Sequence, residues 1–204
     1  AIFVIFRGTY SAKSAGSYTK PESLFPQKAR GSESEYLSGI SNLNYAVLHS
    51  IMISISKLIE FLGKNEKIQV ITCGHSLGGG LATTFSNIFN ERLEGFIQKL
   101  PNLKALKKKI YVISVAAPRV LSSKTSEAYC DKISQSKIFY RRIDTRGDPV
   151  PNLPPSGSAE KGFRHPCELG KDKPKDFNGK KIDNKENHEN IYRQITGALT
   201  KDLN

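Results

Sequence analysis

The stretch Gly74-His75-Ser76-Leu77-Gly78 decides how this chain is interpreted, and it directly follows the apolar residues 68–73. It matches the pattern G-x-S-x-G, in which a serine sits on a sharp turn between a strand and a helix. Glycines two residues to either side let strand and helix pass without a clash. The Ser76 hydroxyl is then exposed at a helix N-terminus, where backbone N–H groups favour negative charge. The stretch predicts a nucleophilic serine; the alternative is a glycine-rich turn with an incidental serine.

Four short apolar runs indicate the fold class. They cover residues 2–6, 68–73, 110–116 and 137–143, and they are rich in β-branched and aromatic side chains. None alternates cleanly between apolar and polar residues, which is typical of strands in a buried parallel sheet. The sequence therefore predicts an α/β fold with a mostly parallel central sheet flanked by helices.

Helical periodicity appears between and after these runs. Apolar residues recur every three or four positions from Leu48 to Leu62, and Gly63 ends the stripe. Further helices are predicted over residues 77–92 and 122–134. Ile191, Ile195 and Leu199 predict a last one, with Asn187 as its cap.

Length and composition fit a single domain over residues 1–204, with 38% hydrophobic and 25% charged residues. Residues 9–41 are rich in Ser, Gly and Lys and are too long for a plain connection, so a lid or insert is predicted over residues 10–41. Residues 149–190 also depart from the alternation of strands and helices: they begin with Pro151, Pro154 and Pro155, and their lysine-rich part, residues 170–185, predicts a solvated surface loop.

The charge balance favours an anionic partner. Lys and Arg number 31 against 19 Asp and Glu, which gives a net charge of +12. The longest uninterrupted apolar run is residues 1–6, far below the ~20 residues of a membrane-spanning helix. We therefore expect a soluble or membrane-peripheral protein without a transmembrane segment. Because the chain does not start with Met, we also expect upstream residues to have been removed.

The three cysteines, Cys73, Cys130 and Cys167, allow one intramolecular disulfide. This number is not typical of a disulfide-stapled secreted domain and slightly favours a reducing compartment, whereas a Cys130–Cys167 bridge would be compatible with export. Cys73 lies in an apolar run and is expected to be inert. The compartment stays open at this point.

Four motifs occur in a family order: Phe6-Arg7-Gly8-Thr9, the Ser76 stretch, Ala117-Pro118-Arg119-Val120, and Asp148-Pro149-Val150-Pro151 with the residues up to Pro155. Over nearly the whole chain the sequence resembles the class 3 lipases of the α/β-hydrolase superfamily. Members usually carry glycine where Ala116 and Leu121 stand, and they have strands upstream of the first motif. The resemblance implies a serine hydrolase that cleaves acyl esters of glycerides or phospholipids through an acyl-enzyme. It implies no metal and no organic cofactor.

In these enzymes the catalytic triad follows the chain order Ser, Asp, His, so the acid lies after Ser76. Asp148 comes just past the last predicted strand, and it fits the D-x-V-P pattern of the family. Asp144 is the nearby rival, and a structural turn aspartate is the other interpretation of Asp148.

The general base must follow Asp148, which excludes His49 and His75 and leaves His165 and His188. By resemblance, His165 is similar to a structural histidine of the family, and His188 to the catalytic histidine that enters the last helix. A helix start also opposes protonation of the resting imidazole, which suits a base. We favour His188 and keep His165 as the alternative.

The oxyanion of the tetrahedral intermediate needs two donors. One is the backbone N–H of Leu77, directly after the nucleophile. By resemblance, the other is the backbone N–H of Thr9, aided by its hydroxyl.

The expected partners are a lipid or ester substrate and the surface of a lipid aggregate, with anionic head groups suggested by the charge. A phospholipase A1-type enzyme and a soluble esterase are alternatives. A non-enzymatic alternative is a basic protein that binds nucleic acid or an anionic surface on a hydrolase scaffold. Lysines 104, 107–109 and 171–185 are predicted in loops without interleaved aromatic residues, and no nucleic-acid motif is present, so nucleic acid is disfavoured.

Overall fold

The computed structural model describes residues 1–8, 26–28, 34–63, 67–144, 148–154 and 162–167 of the chain. The strands are β1 Ile2–Phe6, β2 Pro26–Lys28, β3 Glu35–Leu37, β4 Ile68–His75, β5 Leu106–Val115, β6 Leu121–Ser122, β7 Ile138–Ile143 and β8 Phe163–Arg164. The helices are α1 Ser38–Leu62, α2 Leu77–Lys99 and α3 Ser123–Ser134. Short 3-10 helices cover Pro101–Ala105 and Val150–Asn152.

The central sheet has the order β1-β4-β5-β7, and all three strand pairs are parallel. Its register sets Ile2 opposite Val70, Val70 opposite Ile110, and Ile110 opposite Ile138. This arrangement confirms the α/β class and the parallel sheet. A second, antiparallel sheet has the order β2-β3-β6-β8 and was not predicted.

One face of the central sheet is covered by helices. The buried core joins side chains of the sheet, α1 and α2, among them Met52, Val70, Phe85, Phe89 and Val112. On the opposite face Phe3 is 62% and Ile5 74% exposed, among the residues that the structure describes. In this part of the chain the strands are therefore buried on one face rather than on both.

Helix α1 begins ten residues before the predicted start at Leu48. Gly39 and the asparagines of residues 38–47 have low helix propensity, which hides this part of the helix in the sequence. Tertiary contacts override propensity here, because Ile40 is fully buried and the Asn44 side chain donates to the Leu81 carbonyl at 3.3 Å. Gly63 ends the helix as predicted, with φ 57°.

Helix α1 is also the one helix of the described part of the chain that is long and apolar enough to cross a membrane. An 18-residue window in it has a mean hydropathy of 1.4. The sequence contains no uninterrupted apolar run here, because polar residues such as His49 and Ser50 divide the apolar positions of the helix. Met52, Ile55 and Ile59 of α1 are buried in the core, whereas 29% of the window as a whole is buried.

The predicted lid over residues 10–41 lies largely outside the described residues. Its described parts are β2, β3 and the start of α1, where Tyr36 and Ile40 are fully buried. A polar cluster fixes this end of the segment: Ser34 Oγ donates to Glu91 of α2 at 2.7 Å, and Lys132 of α3 pairs with the same carboxylate at 2.7 Å. That residues 10–41 form a lid stays a prediction.

Strand β5 corrects the prediction for residues 107–109. The apolar run indicated a start at Ile110, whereas β5 begins at the buried Leu106, so these three lysines lie in a strand and not in a loop. Lys109 Nζ lies 5.3 Å from the ring centroid of Tyr111 and 5.9 Å from that of Phe139. Lys109 therefore lies beside two aromatic rings in space, although no aromatic residue is interleaved with residues 107–109 in the sequence.

A disulfide joins Cys130 of α3 to Cys167, with a Cα–Cα distance of 5.2 Å. It is the pairing that the sequence left open. Such bridges persist in oxidising compartments, so it argues against the reducing compartment that the cysteine count slightly favoured. The predicted last helix and the lysine-rich residues 171–185 lie outside the described residues.

Candidate active site

Ser76 lies on the turn between β4 and α2, with φ 56° and ψ −128°. A positive φ at a residue with a side chain is strained by about 1–3 kcal/mol and persists only where the surroundings enforce it. Here the Ser76 N–H donates to the Val115 carbonyl of β5 at 2.8 Å, and the Gly79 N–H donates to the Ser76 carbonyl at 2.9 Å. Sheet and helix thus hold the turn on both sides.

The glycines around Ser76 leave space for crossing backbones. A Cβ at Gly74 would lie 2.2 Å from the Gly78 carbonyl oxygen, and one at Gly78 would lie 2.2 Å from that of Phe6. A Cβ at Gly8 would lie 2.7 Å from the His75 carbonyl oxygen and 3.4 Å from the Ser76 Cβ. The ends of β1 and β4 and the start of α2 therefore approach each other too closely for any side chain.

Of the two predicted oxyanion donors, the structure describes one. Leu77 is the first residue of α2, so its N–H belongs to the N-terminal groups that have no acceptor within the helix. Gly8 lies beside Ser76, but Thr9 lies outside the described residues, and its role stays a prediction.

The candidate acids follow β7, whose end meets the same edge of the sheet. The Ala116 N–H, just after β5, donates to the carbonyl of Ile143 at 2.8 Å. Asp144 is 9% exposed and pairs with the guanidinium of Arg142. Asp148 is 2% exposed, and its Oδ1 accepts the backbone N–H of Val150 at 2.9 Å. The rival Asp144 is thus held by a cation of β7, whereas Asp148 lies in the loop beyond it.

His165 is 2% exposed and lies against that loop. Its Nε2 contacts the carbonyl of Pro151 at 2.8 Å, and since a carbonyl only accepts, this nitrogen carries a proton. The His165 carbonyl accepts the hydroxyl of Ser126 at 2.6 Å. These contacts fit the structural role that the resemblance implied. His188 lies outside the described residues, so the base assignment stays a prediction.

Arg119 is a residue of this region that the sequence reasoning did not single out. Its Nη1 donates to the carbonyls of Asn152 at 2.5 Å and Pro154 at 3.3 Å. Its backbone N–H donates to the carbonyl of Leu153 at 2.7 Å. Arg119 belongs to one of the four quoted motifs, but nothing in the sequence tells which groups its guanidinium touches.

Burial raises the pKa of the Cys73 thiol, which lies in β4 three residues before Ser76. A raised pKa keeps the thiol protonated at neutral pH and therefore a poor nucleophile. Within the residues that the structure describes, no three side chains of His, Cys, Asp or Glu are grouped to hold a metal ion.

Comparisons with known proteins agree with this geometry. The family model described as lipase (class 3) matches residues 3–158. No curated protein sequence is significantly similar to the chain.

Several solved structures share the fold. The lipase of Rhizomucor miehei, in a propeptide complex, has 22% identity and a TM-score of 0.56, over 80% of this chain and 46% of its own. A triacylglycerol lipase of Penicillium expansum has 18% identity and a TM-score of 0.57, and the match covers 80% of this chain and 56% of that lipase. A further triacylglycerol lipase, described as having a serine protease triad as its catalytic centre, has 23% identity and a TM-score of 0.55, over 80% and 54%.

The chain spans about half the length of these solved structures. Their likeness confirms the α/β-hydrolase fold predicted from the sequence. The family model covers most of the chain, including the Ser76 turn and the loop of Asp148. The chain therefore belongs to the class 3 lipase family.

Proposed function

We propose that this chain carries the catalytic machinery of a serine carboxylic-ester hydrolase, a lipase that cleaves acyl esters of glycerides or phospholipids. The observation that supports it most is the strained turn at Ser76, at the edge where β1, β4, β5 and β7 all end. Strained residues of this kind cluster at active sites, where the surrounding fold holds a group in a reactive position.

In the proposed reaction, Ser76 Oγ attacks the ester carbonyl while His188 accepts its proton. The backbone N–H groups of Leu77 and Thr9 stabilise the oxyanion. His188 then gives the proton to the leaving alcohol, and the acyl group stays on Ser76. Asp148 orients His188 and stabilises the imidazolium. Water releases the fatty acid by the same steps, with His188 again as the base.

The relatives support the substrate class, since two of the solved structures are named as triacylglycerol lipases. A phospholipase A1-type enzyme and a soluble esterase use the same triad. Triglycerides, anionic phospholipids and p-nitrophenyl esters, each assayed below and above the concentration at which it aggregates, distinguish them. A rate that rises on aggregation supports a lipase, whereas equal rates on dissolved and aggregated ester support a soluble esterase.

Covalent labelling with a fluorophosphonate probe tests the proposal. The wild-type chain should be labelled at Ser76, and Ser76→Ala should abolish the labelling. Ser54→Ala is the matched control, because Ser54 is an exposed serine of α1 whose hydroxyl donates to the Ser50 carbonyl. If the folded wild-type chain is not labelled, the proposal fails. Binding to nucleic acid or anionic vesicles would then support the non-enzymatic alternative, which the net charge of +12 favours.

A further inference from the structure

The loop that carries the proposed acid, residues 148–154 or the acid loop, is held from outside by Arg119. The guanidinium donates to the carbonyls of Asn152 and Pro154, at 2.5 and 3.3 Å. The backbone N–H of Arg119 donates to the carbonyl of Leu153, which lies between these two residues, at 2.7 Å. One residue therefore binds three successive carbonyls of the acid loop.

Hydrogen bonds within the acid loop connect its far end to Asp148, so contacts at residues 152–154 also affect the position of Asp148. The Asp148 carboxylate accepts the Val150 N–H at 2.9 Å. The N–H groups of Asn152 and Leu153 donate back to Pro149 and Val150, each at 3.0 Å. A shift at residues 152–154 would therefore pass through these short turns to the buried carboxylate.

Arg119 is itself anchored to the nucleophile side of the site. It follows the buried Ala116 and Ala117, which come directly after β5. A Cβ placed on Gly79 of α2 would lie 2.9 Å from the Ala117 Cβ, so this segment packs closely on the helix that begins at Ser76. Arg119 thus bridges the segment beside α2 and the acid loop.

We propose that Arg119 is a positioning residue, which sets where Asp148 stands relative to Ser76 and its base. The inference rests on the proposed function. Arginine suits this role because its planar fork keeps several donors in a fixed geometry, whereas lysine offers a single flexible ammonium group. Arg119 itself touches neither the substrate nor the reacting atoms in this account.

The test compares Arg119→Ala and Arg119→Lys with the wild type on a soluble ester. Misplacing a catalytic group by about 1 Å can cost about 10²-fold in rate, so Arg119→Ala should lower kcat by about that factor with KM within about twofold. Arg119→Lys should recover part of the loss. A carboxylate beside an imidazole favours the protonated imidazole and so raises its pKa. If Arg119→Ala moves Asp148 away from the base, the pKa of the base falls, and the acidic limb of the kcat/KM profile should move to lower pH. Arg141→Ala, at an exposed position of β7, is the matched control.

A double-mutant cycle separates positioning from stability. In the Asp148→Asn background, Arg119→Ala should cause no further loss of kcat, because the group that it positions is already lost. Independent losses that multiply, or an acidic limb that stays in place, would overturn the inference. Circular dichroism and thermal unfolding check the fold. If Arg119→Ala does not fold, the same double-mutant cycle is measured with Arg119→Lys in its place.

The two proposals fail in different ways. A wild-type chain without labelling or hydrolysis overturns the proposed function, and this inference with it. An active wild type that loses activity in Ser76→Ala but keeps an unchanged kcat in both Arg119 variants overturns only the role of Arg119.

Discussion

At the residue scale, the strained Ser76 turn and the buried Asp148 make a direct prediction about activity. Ser76→Ala, Asp148→Asn and His188→Ala should each lower kcat by roughly 10³-fold or more, while circular dichroism stays unchanged. Because the three side chains act as one unit, the losses should not multiply in combination. Steady-state kinetics on a soluble ester measures both effects.

His165 provides the contrast for this prediction. His165→Ala removes a hydrogen bond to Pro151 and should cost about 1–3 kcal/mol of stability, while Ser76 can still be labelled. If His165→Ala inactivates the protein and His188→Ala is nearly silent, the base is His165 and the assignment to His188 is wrong.

Motifs predicted Ser76 and Asp148 because chemistry fixes the residue type at those positions. The role of Arg119 could not be predicted from the sequence, because its guanidinium binds backbone carbonyls. Every residue has such a carbonyl, so no residue type marks the partners of Arg119. Ala116 shows the converse. Its φ of 49° explains why family members usually carry glycine at this position, since glycine adopts positive φ without strain.

At the scale of single elements, two exposed glycines should respond in opposite ways to alanine. Gly63 ends α1 with φ 57°, and Gly95 lies inside α2; a Cβ at either would meet no atom within 4 Å. Gly63→Ala should lower the free energy of unfolding by about 1 kcal/mol through backbone strain. Gly95→Ala should raise it by up to about 1 kcal/mol through helix propensity. Urea unfolding measures both, and shifts of the same sign would contradict the backbone explanation.

The contact between α3 and β7 predicts a loss of stability in alkali. The rings of Tyr129 and Tyr140 meet edge to face, with centroids 5.6 Å apart, and burial raises the pKa of both phenols. Above about pH 10 the unfolded chain releases these protons and the folded chain keeps them, so the free energy of unfolding falls as pH rises.

The expected slope is up to about 1.4 kcal/mol per pH unit for each tyrosine. Urea unfolding between pH 9 and 11 measures it, and Tyr140→Phe should make the fall less steep. An unchanged slope in this variant would contradict the contribution of Tyr140.

Elements were predictable where they are long and apolar. All four strands of the central sheet were placed from their runs of β-branched and aromatic side chains, although β5 begins four residues before its run. The second sheet was not found, because strands of two or three residues, such as β6 and β8, are too short to show a period. The early start of α1 depends on burial of Ile40 by tertiary contacts, which local propensity does not report.

At the scale of the whole molecule, the Cys130–Cys167 disulfide closes a long loop around β7 and the acid loop. With a sequence separation of 37 residues, loop-closure entropy gives about 4 kcal/mol of stabilisation at 25 °C. Reductant should therefore lower the free energy of unfolding of the wild type by about this amount. The variant Cys130→Ser/Cys167→Ser should have a lower free energy of unfolding than the wild type, and reductant should not change it. If reductant lowers the stability of this variant too, the effect comes from a group other than the disulfide.

The net charge of +12 makes a prediction about the lipid surface. Each Lys or Arg near an anionic surface contributes about 1 kcal/mol, so hydrolysis should be faster on anionic than on zwitterionic vesicles. At ~1 M salt the Debye length falls to about 3 Å, and this preference should shrink. Hydrolysis of a soluble short-chain ester should not change with salt in the same way. Equal rates on both kinds of vesicle at low salt would show that the charge only solubilises the protein.

The parallel register of β1 with β4 also has a consequence during synthesis of the chain. Val70 follows its partner Ile2 by 68 residues, so at ~5–20 residues per second β1 leaves the ribosome roughly 3 to 14 s before its partner strand exists. Through that interval the segment Ile2–Phe6 presents an apolar strand with unpaired backbone groups, the kind of segment that joins other chains. Slower translation should therefore lower the soluble yield of this protein, and a chaperone that holds this nascent segment should restore it.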